Sequence, residues 1–409
     1  PFTRNDMSPE EREVAQVWLD DLWAHYAAVV EEQRQLPAGA VDSYVNGFAE
    51  RMSAGGGDSA MDALQAGLVD RLLGRTESNS YLVQTVGASD EDGLFEAVPF
   101  EYYLTRKRTR DFAAGGDRIA VITAQGNILP GEQPPGMIGG DSLAQLINST
   151  AMDERTRAIV LRVNSGGGSM FASEIIREQV LAARAGGLPV VVSMGAVAAS
   201  GGYYIAADAD EIWATPTTVT GSIGVFAAFP TFENLLQRLG VHTDGVGTTT
   251  LAGSLRADRP LDPELKAALD AGVGHAYKEF LDVVAEGRGM AIEDVAVVAE
   301  GRVWSASDAL EVGLVDYLGG LDQAIDAAAA RAELEDYRVH FVQPPLSPSE
   351  LFWQQVSERV SLPSLVARGE TVAALRALSR PLVDAAREVT ALQDPRHLYF
   401  RCLGCSARD

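Results

Sequence analysis

One serine sits among small residues in Met194-Gly195-Ala196-Val197-Ala198-Ala199-Ser200-Gly201-Gly202-Tyr203. Placed at the start of a helix, its side chain would be exposed to a reacting carbonyl, and the helix N-terminus favours nearby negative charge. A nucleophilic Ser200, with the N–H of Gly201 as an oxyanion donor, fits such a turn. A tight crossing of helix and strand would demand the same small residues, and the local pattern does not separate the two. A second glycine run, Val163-Asn164-Ser165-Gly166-Gly167-Gly168-Ser169, lies between a strand and a helix. Its backbone N–H groups could line a cavity and hold a phosphate or an oxyanion. No G-K-[S/T] closes it, which disfavours a nucleotide. The third, Thr220-Gly221-Ser222-Ile223-Gly224-Val225, is on its own only a turn.

These loops need a scaffold, and the surrounding pattern supplies one. Apolar runs at Ile119–Thr123, Ala158–Val163, Val190–Met194 and Glu211–Ala214 read as strands. Between them lie helical stretches. One is capped by Asp141 and runs through Asn148. One spans Ser173–Ala185 and stops at Gly186-Gly187. A short one spans Gly201–Ala207. Strands alternating with helices imply an α/β domain with a largely parallel sheet.

The chain also repeats itself. Residues 62–74 and 308–320 are identical at nine of thirteen positions, a shift of 246. Upstream the likeness continues at a shift of 254: Val29, Val30, Glu32 and Arg34 meet Val283, Val284, Glu286 and Arg288. A period this long means a duplicated domain, not a solenoid. We expect residues 1–84 to be the helical end of a truncated first copy, its front lying before Pro1. Residues 85–116 are a linker, with Arg106, Lys107, Arg108 and Arg110 as a solvated basic cluster. Residues 117–340 are a complete second copy. Residues 341–409 are a helical extension ending in a C-x-x-C tail.

The composition narrows the function. The 409 residues are 46% hydrophobic and 22% charged, which excludes a disordered chain. The net charge of −24 argues against nucleic acid as a partner. No run is apolar enough to span a membrane. Cys402 and Cys405 cannot make a disulfide framework. With His397 they fall short of the usual four ligands of a structural metal site; an accidental pair on a polar tail, a metal site and a redox pair stay open, and no cofactor is expected.

Taken together, N-S-x-G-G-S, A-A-S-G-G-Y-Y and T-G-S-I-G-V, in this order and spacing, resemble the long, two-half form of the signal peptide peptidase A family, peptidase family S49. The C-terminal D-P-x-x-x-Y-x-x-C-x-x-C extends the likeness over nearly the whole chain. The resemblance implies a Clp-protease/crotonase-like fold in tandem repeat. It implies a Ser/Lys dyad in a serine endopeptidase that degrades cleaved signal peptides and other membrane-associated peptides. By that likeness Ser200 is the nucleophile, Gly167 and Gly201 form the oxyanion hole, and Ser222 orients the base. Gly166 stands where the family usually has proline. The family also implies a homotetramer on the periplasmic face of the bacterial inner membrane, anchored by a segment absent from this chain.

A base lysine is harder to find. Only Lys107, Lys266 and Lys278 occur. Thr250 occupies the family position in the second copy, and threonine cannot serve. The repeat moves the matching lysine of the first copy upstream of Pro1, so this chain alone is expected to be inactive. His242 has neither the spacing of a Ser-His-Asp triad nor a matching role in the family. Two other readings remain: a non-catalytic scaffold, and a crotonase-type acyl-CoA enzyme that would not need Ser200.

Overall fold

The computed structural model describes residues 7–54, 58–89, 95–98, 100, 103, 116–229, 231–245, 256–342, 394 and 398–401. The chain forms two compact units, Pro1–Ala15 with Asp117–Asp409, and Gln16–Gly116.

The larger unit is built on a mixed α/β sheet. Its strands are β1 (Arg118–Gln125), β4 (Thr156–Ser165), β6 (Val190–Ala199), β7 (Glu211–Ala214), β8 (Val219–Gly221), β10 (Val303–Ser305), β11 (Tyr317–Leu318) and β12 (Arg338–Val342). The order is β10-β8-β6-β4-β1-β12, with β7 on β6 and β11 on β7. Every pairing is parallel except β10 with β8.

Both faces of this sheet are covered, as side-chain alternation requires. Ala120, Ile122, Ile159, Leu161, Val190, Val192 and Met194 point into one core. Helices α6 (Gly140–Ala151), α7 (Met170–Ala185) and α10 (Pro263–Arg288) contribute to it, the last through Phe280. The alternate residues Ile119, Val121, Ala158, Val160 and Val191 face the other way. They meet Ala324, Ile325, Ala328 and Ala329 of α13 (Leu321–Arg331).

A second, smaller sheet combines β2 (Ile128–Leu129), β3 (Ile138–Gly139), β5 (Gly167–Ser169), β9 (Phe226–Ala227) and β13 (Leu398–Arg401), ordered β3-β2-β5-β13-β9. Residues 398–401 are thus a strand where the sequence reading expects a helical extension. Residues 341–342 of that extension end β12 and residue 394 is described; its other residues, and the basic cluster at 106–110, lie outside the described residues.

The remaining helices follow local rules with some shifts. The helix after β3 starts before Asp141, with Gly139 at its N-cap and no side-chain cap. Asp141 therefore sits in the first turn, where its charge still suits the dipole. Helix α7 starts three residues earlier than expected, because the Ser169 hydroxyl accepts from the Ala172 N–H at 3.2 Å. The expected helix over 201–207 regularises only over α8 (Gly201–Tyr204). Ser305 caps α12 (Ala306–Glu311), accepting from the Asp308 N–H at 3.2 Å. Ser305→Ala is expected to lower stability by about 1 kcal/mol in urea unfolding; an unchanged midpoint would contradict that capping role.

The smaller unit is helical. It comprises most of α1 (Pro9–Arg34), then α2 (Ala40–Asn46), α3 (Phe48–Ala54), α4 (Ser59–Gln65) and α5 (Arg75–Val86). Helix α4 stops at Gln65 because Gly67 turns left-handed, at φ 72°.

Local structure repeats along with the sequence. Helices α1 and α10 have bounds offset by 254 at both ends. Arg34 donates to the Gly67 carbonyl at 2.9 Å and pairs with Asp70. At the matching positions Arg288 donates to the Gly313 carbonyl at 3.2 Å and pairs with Asp316. Gly67 and Gly313 share a positive φ, 72° and 79°. The Gly74 N–H donates to Glu77, and the Gly320 N–H to Gln323. One arginine thus fastens the C-terminal turn of a long helix to the same left-handed glycine in both copies.

Candidate active site

Strand β6 ends at Ala199, and Ser200 turns the chain into α8. Three interactions fix the approach. Gly195 lies so close to Asn164 that an added Cβ would stand 2.9 Å from its Oδ1. That same Oδ1 accepts from the Val197 N–H at 3.1 Å. On the other edge the Thr218 and Thr220 hydroxyls donate to the Gly195 and Ala198 carbonyls, both at 2.7 Å. The small residues are thus explained by close packing, which is one of the two readings of the pattern.

Ser200 shows more than packing. Its backbone has φ 55° and ψ −117°, a conformation that a side chain rarely adopts. Such a residue stores about 1–3 kcal/mol and persists only where the surroundings impose it. Here the Ser200 N–H donates to the Gly221 carbonyl at 2.8 Å, and its own carbonyl accepts from the Tyr204 N–H at 2.8 Å. The residue is 1% exposed, and its hydroxyl has no hydrogen-bond partner among the described residues. A buried, unpartnered hydroxyl costs roughly 1–3 kcal/mol. Strain and an unpaired polar group coincide at one residue.

The other two loops converge on this turn. The parallel register pairs Ala198 with Thr220 and Ala199 with Gly221. The pairing ends there, and Ser200 and Ser222 are the next residues along the two strands. Ser222 also has positive φ, 50°, held by its N–H donating to the Arg302 carbonyl at 2.7 Å. On the opposite side β4 pairs Ser165 with Ala198, after a bulge at Asn164. An added Cβ on Gly202 would stand 2.5 Å from the Ser165 carbonyl oxygen. So the glycine loop 166–168 packs directly on the start of α8. Gly202→Ala must push these backbones apart. It is expected to lower stability by about 1–3 kcal/mol in urea unfolding, and an unchanged midpoint would contradict this close packing.

The expected oxyanion donors differ in state. Gly201 is the first residue of α8, so its N–H has no acceptor within the helix. The Gly167 N–H donates to the Ser165 hydroxyl oxygen at 3.0 Å, and that hydroxyl donates to the Gly126 carbonyl at 2.7 Å. For Gly167 to serve an oxyanion, this bond has to be exchanged for one to substrate. Gly168 cannot carry a side chain, since its Cβ would stand 2.0 Å from the Ile128 carbonyl oxygen.

No described lysine approaches Ser200 with a free amine. Lys266 and Lys278 lie on α10 and are exposed, and Lys266 pairs with Asp270 at 2.6 Å. His242 is exposed. Lys107, Thr250, His397, Cys402 and Cys405 lie outside the described residues. Among the described residues no three His, Cys, Asp or Glu side chains are grouped to hold a metal. No described helix is long and apolar enough to cross a membrane.

A network beneath α8 is not apparent from the sequence. The Arg177 guanidinium bonds Glu174 at 2.8 Å and also pairs with Asp208. Tyr204 donates to Glu174 at 2.6 Å and stacks edge-on against Phe280 at 5.0 Å. Tyr203 donates to the Leu314 carbonyl at 2.9 Å. Burial pushes both phenols above their ordinary range, and Glu174 adds to the effect on Tyr204. Burial opposes the charges of Glu174 and Arg177, yet their mutual bonds outweigh it. The carboxyl is held low and the guanidinium high. The only sequence signal is the pair of tyrosines after Gly202.

Comparison with known proteins identifies the family. The model of peptidase family S49 matches residues 1–88 and 182–335. Protease 4 of Salmonella typhi is 38% identical over 99% of this chain, and Protease 4 of Haemophilus influenzae is 36% identical over 99%. The chain spans 65% and 66% of their respective lengths. A chloroplastic serine protease SPPA from Arabidopsis thaliana is 32% identical over 81% of the chain and is covered over 49% of its length. Among solved structures, a ClpP1 mutant chain from Listeria monocytogenes matches at 15% identity and a TM-score of 0.34, over 54% of this chain and 99% of that one. The family match takes in 242 of the 409 residues (88 and 154 in two stretches), and on it the chain belongs to peptidase family S49.

Proposed function

We propose that the protein is a serine endopeptidase in which Ser200 is the nucleophile and a lysine upstream of Pro1 in the full-length protein is the base. The observation that carries this is the strained backbone and unpartnered hydroxyl of Ser200. The neutral amine takes the Ser200 proton as Oγ bonds the scissile carbonyl carbon. The carbonyl oxygen becomes an oxyanion and accepts from the N–H groups of Gly201 and Gly167. The lysine then gives its proton to the leaving amine, the C–N bond breaks, and an acyl-Ser200 ester remains for water to hydrolyse. Ser222, which follows the residue paired with Ala199, orients the amine. Residues 1–409 by themselves do not turn over peptide.

The substrates are released signal peptides and other membrane-associated peptides, cut beside small or apolar side chains. The full protein works as a homotetramer at the periplasmic face of the bacterial inner membrane. The family match supports the peptidase part of this reading. The test is the pH dependence of kcat/KM for a peptide with the full-length protein. A single ionisation below the ordinary lysine value of about 10.4, rising to an alkaline plateau, is expected. A titration near the ordinary histidine value of about 6.5 would remove lysine as the base.

A further inference from the structure

Two strands flank the loops around Ser200. Strand β5 lies within the glycine run, and β9 follows the turn that holds Ser222. Between them lies β13, from the far C-terminal end of the chain. It runs antiparallel to both. Tyr399 sits opposite Ser169 on one side and Phe226 on the other, Phe400 opposite Gly168, and Arg401 opposite Gly167. The strand also packs on α7 and on α8, the helix headed by Ser200.

Specific groups fasten it there. Tyr399 is 1% exposed, with its ring 5.7 Å from that of Phe226. Asp394 is buried, and its carboxylate accepts from the Ser169 hydroxyl and from the Phe171 N–H at 3.1 Å. The Asp394 N–H donates to the Tyr399 hydroxyl oxygen at 3.3 Å.

An extended peptide added to an open strand edge is held by its main chain, with alternate side chains entering pockets. A substrate lying across Ser200 beside Gly167 needs the Gly167–Ser169 edge. One edge accepts one strand, and β13 already pairs with it. We propose that Leu398–Arg401 is an intramolecular occupant of the substrate-strand position, clasped through Asp394 and Tyr399, and that peptides must displace it to be cut. This rests on the reading of Ser200 as the peptidase nucleophile.

The test uses the full-length protein, with the chain ended after residue 393, and separately with Asp394→Asn and Tyr399→Ala. Two readouts are taken: kcat/KM for a reporter peptide and the rate of fluorophosphonate labelling of Ser200. A synthetic peptide of residues 394–401 is then added in trans. Removing the strand is expected to raise both rates by about tenfold or more, because a tethered competitor acts at high effective concentration. The added peptide should inhibit the shortened protein competitively. If shortening disrupts folding, the two point variants should show the same increase in smaller measure. Unchanged rates with Ser200 still labelled would overturn this proposal and leave the peptidase reading intact. So would activity that falls in the variants and is restored by the added peptide, since the strand would then be part of the site. No labelling of Ser200 in any form would overturn both.

Discussion

Ser200→Ala in the full-length protein is expected to lower peptide turnover by about 10⁴-fold or more. The substitution removes the atom that forms the acyl bond and leaves its surroundings in place. The fold should survive, because the Ser200 hydroxyl makes no hydrogen bond among the described residues. Glycine at the same position should inactivate as fully and also stabilise. The φ of 55° with ψ of −117° suits glycine, so Ser200→Gly is expected to unfold at a higher temperature than Ser200→Ala. An inactive yet more stable variant is what a strained nucleophile predicts. Retained acyl-CoA thioester chemistry in Ser200→Ala would instead favour the crotonase-type alternative, and no activity in the parent would favour a scaffold.

Arg177→Ala should give the largest loss of stability. Asp208 is 3% exposed and pairs with this guanidinium, and Glu174 shares it. Removing the cation leaves a buried carboxylate uncompensated, at a cost of about 3–5 kcal/mol. The guanidinium also lies 5.7 Å from the centre of the Tyr204 ring, at the end of α8. Turnover should therefore fall along with stability, since Tyr204 and Ser200 belong to one short turn. Arg177→Lys retains a charge but not the fork geometry and is expected to recover only part of the loss. Denaturant unfolding with an unchanged midpoint for Arg177→Ala would show that the network does not hold the helix.

The contrast between these two residues shows what is legible in the sequence. The parallel strands are readable because β-branched and apolar runs lie between glycine stops; Glu211–Ala214 has the same bounds in the pattern and in the structure. The turn at Ser200 is readable because close approach restricts residue size, so small residues cluster over a short stretch. The repeat is readable because one glycine and one aspartate recur with their spacing, and one arginine recurs before them, 33 positions from the glycine in the first copy and 25 in the second. What escapes depends on partners distant in the chain. Arg177 and Asp208 are 31 positions apart, and Ser169 and Asp394 are 225 apart. No local pattern announces that Leu398–Arg401 will pair with Gly167–Ser169. The family likeness marks the Gly167 N–H as an oxyanion donor, while its bond to Ser165 follows from a bulge that the sequence does not mark.

The most direct test of the central claim is to find which atom a fluorophosphonate modifies. The full-length protein is treated with the probe, digested, and the adduct located by mass spectrometry. A single adduct on Ser200 is expected, abolished in Ser200→Ala and slowed when the base lysine is replaced. An adduct on another serine, or labelling that persists in Ser200→Ala, would contradict it.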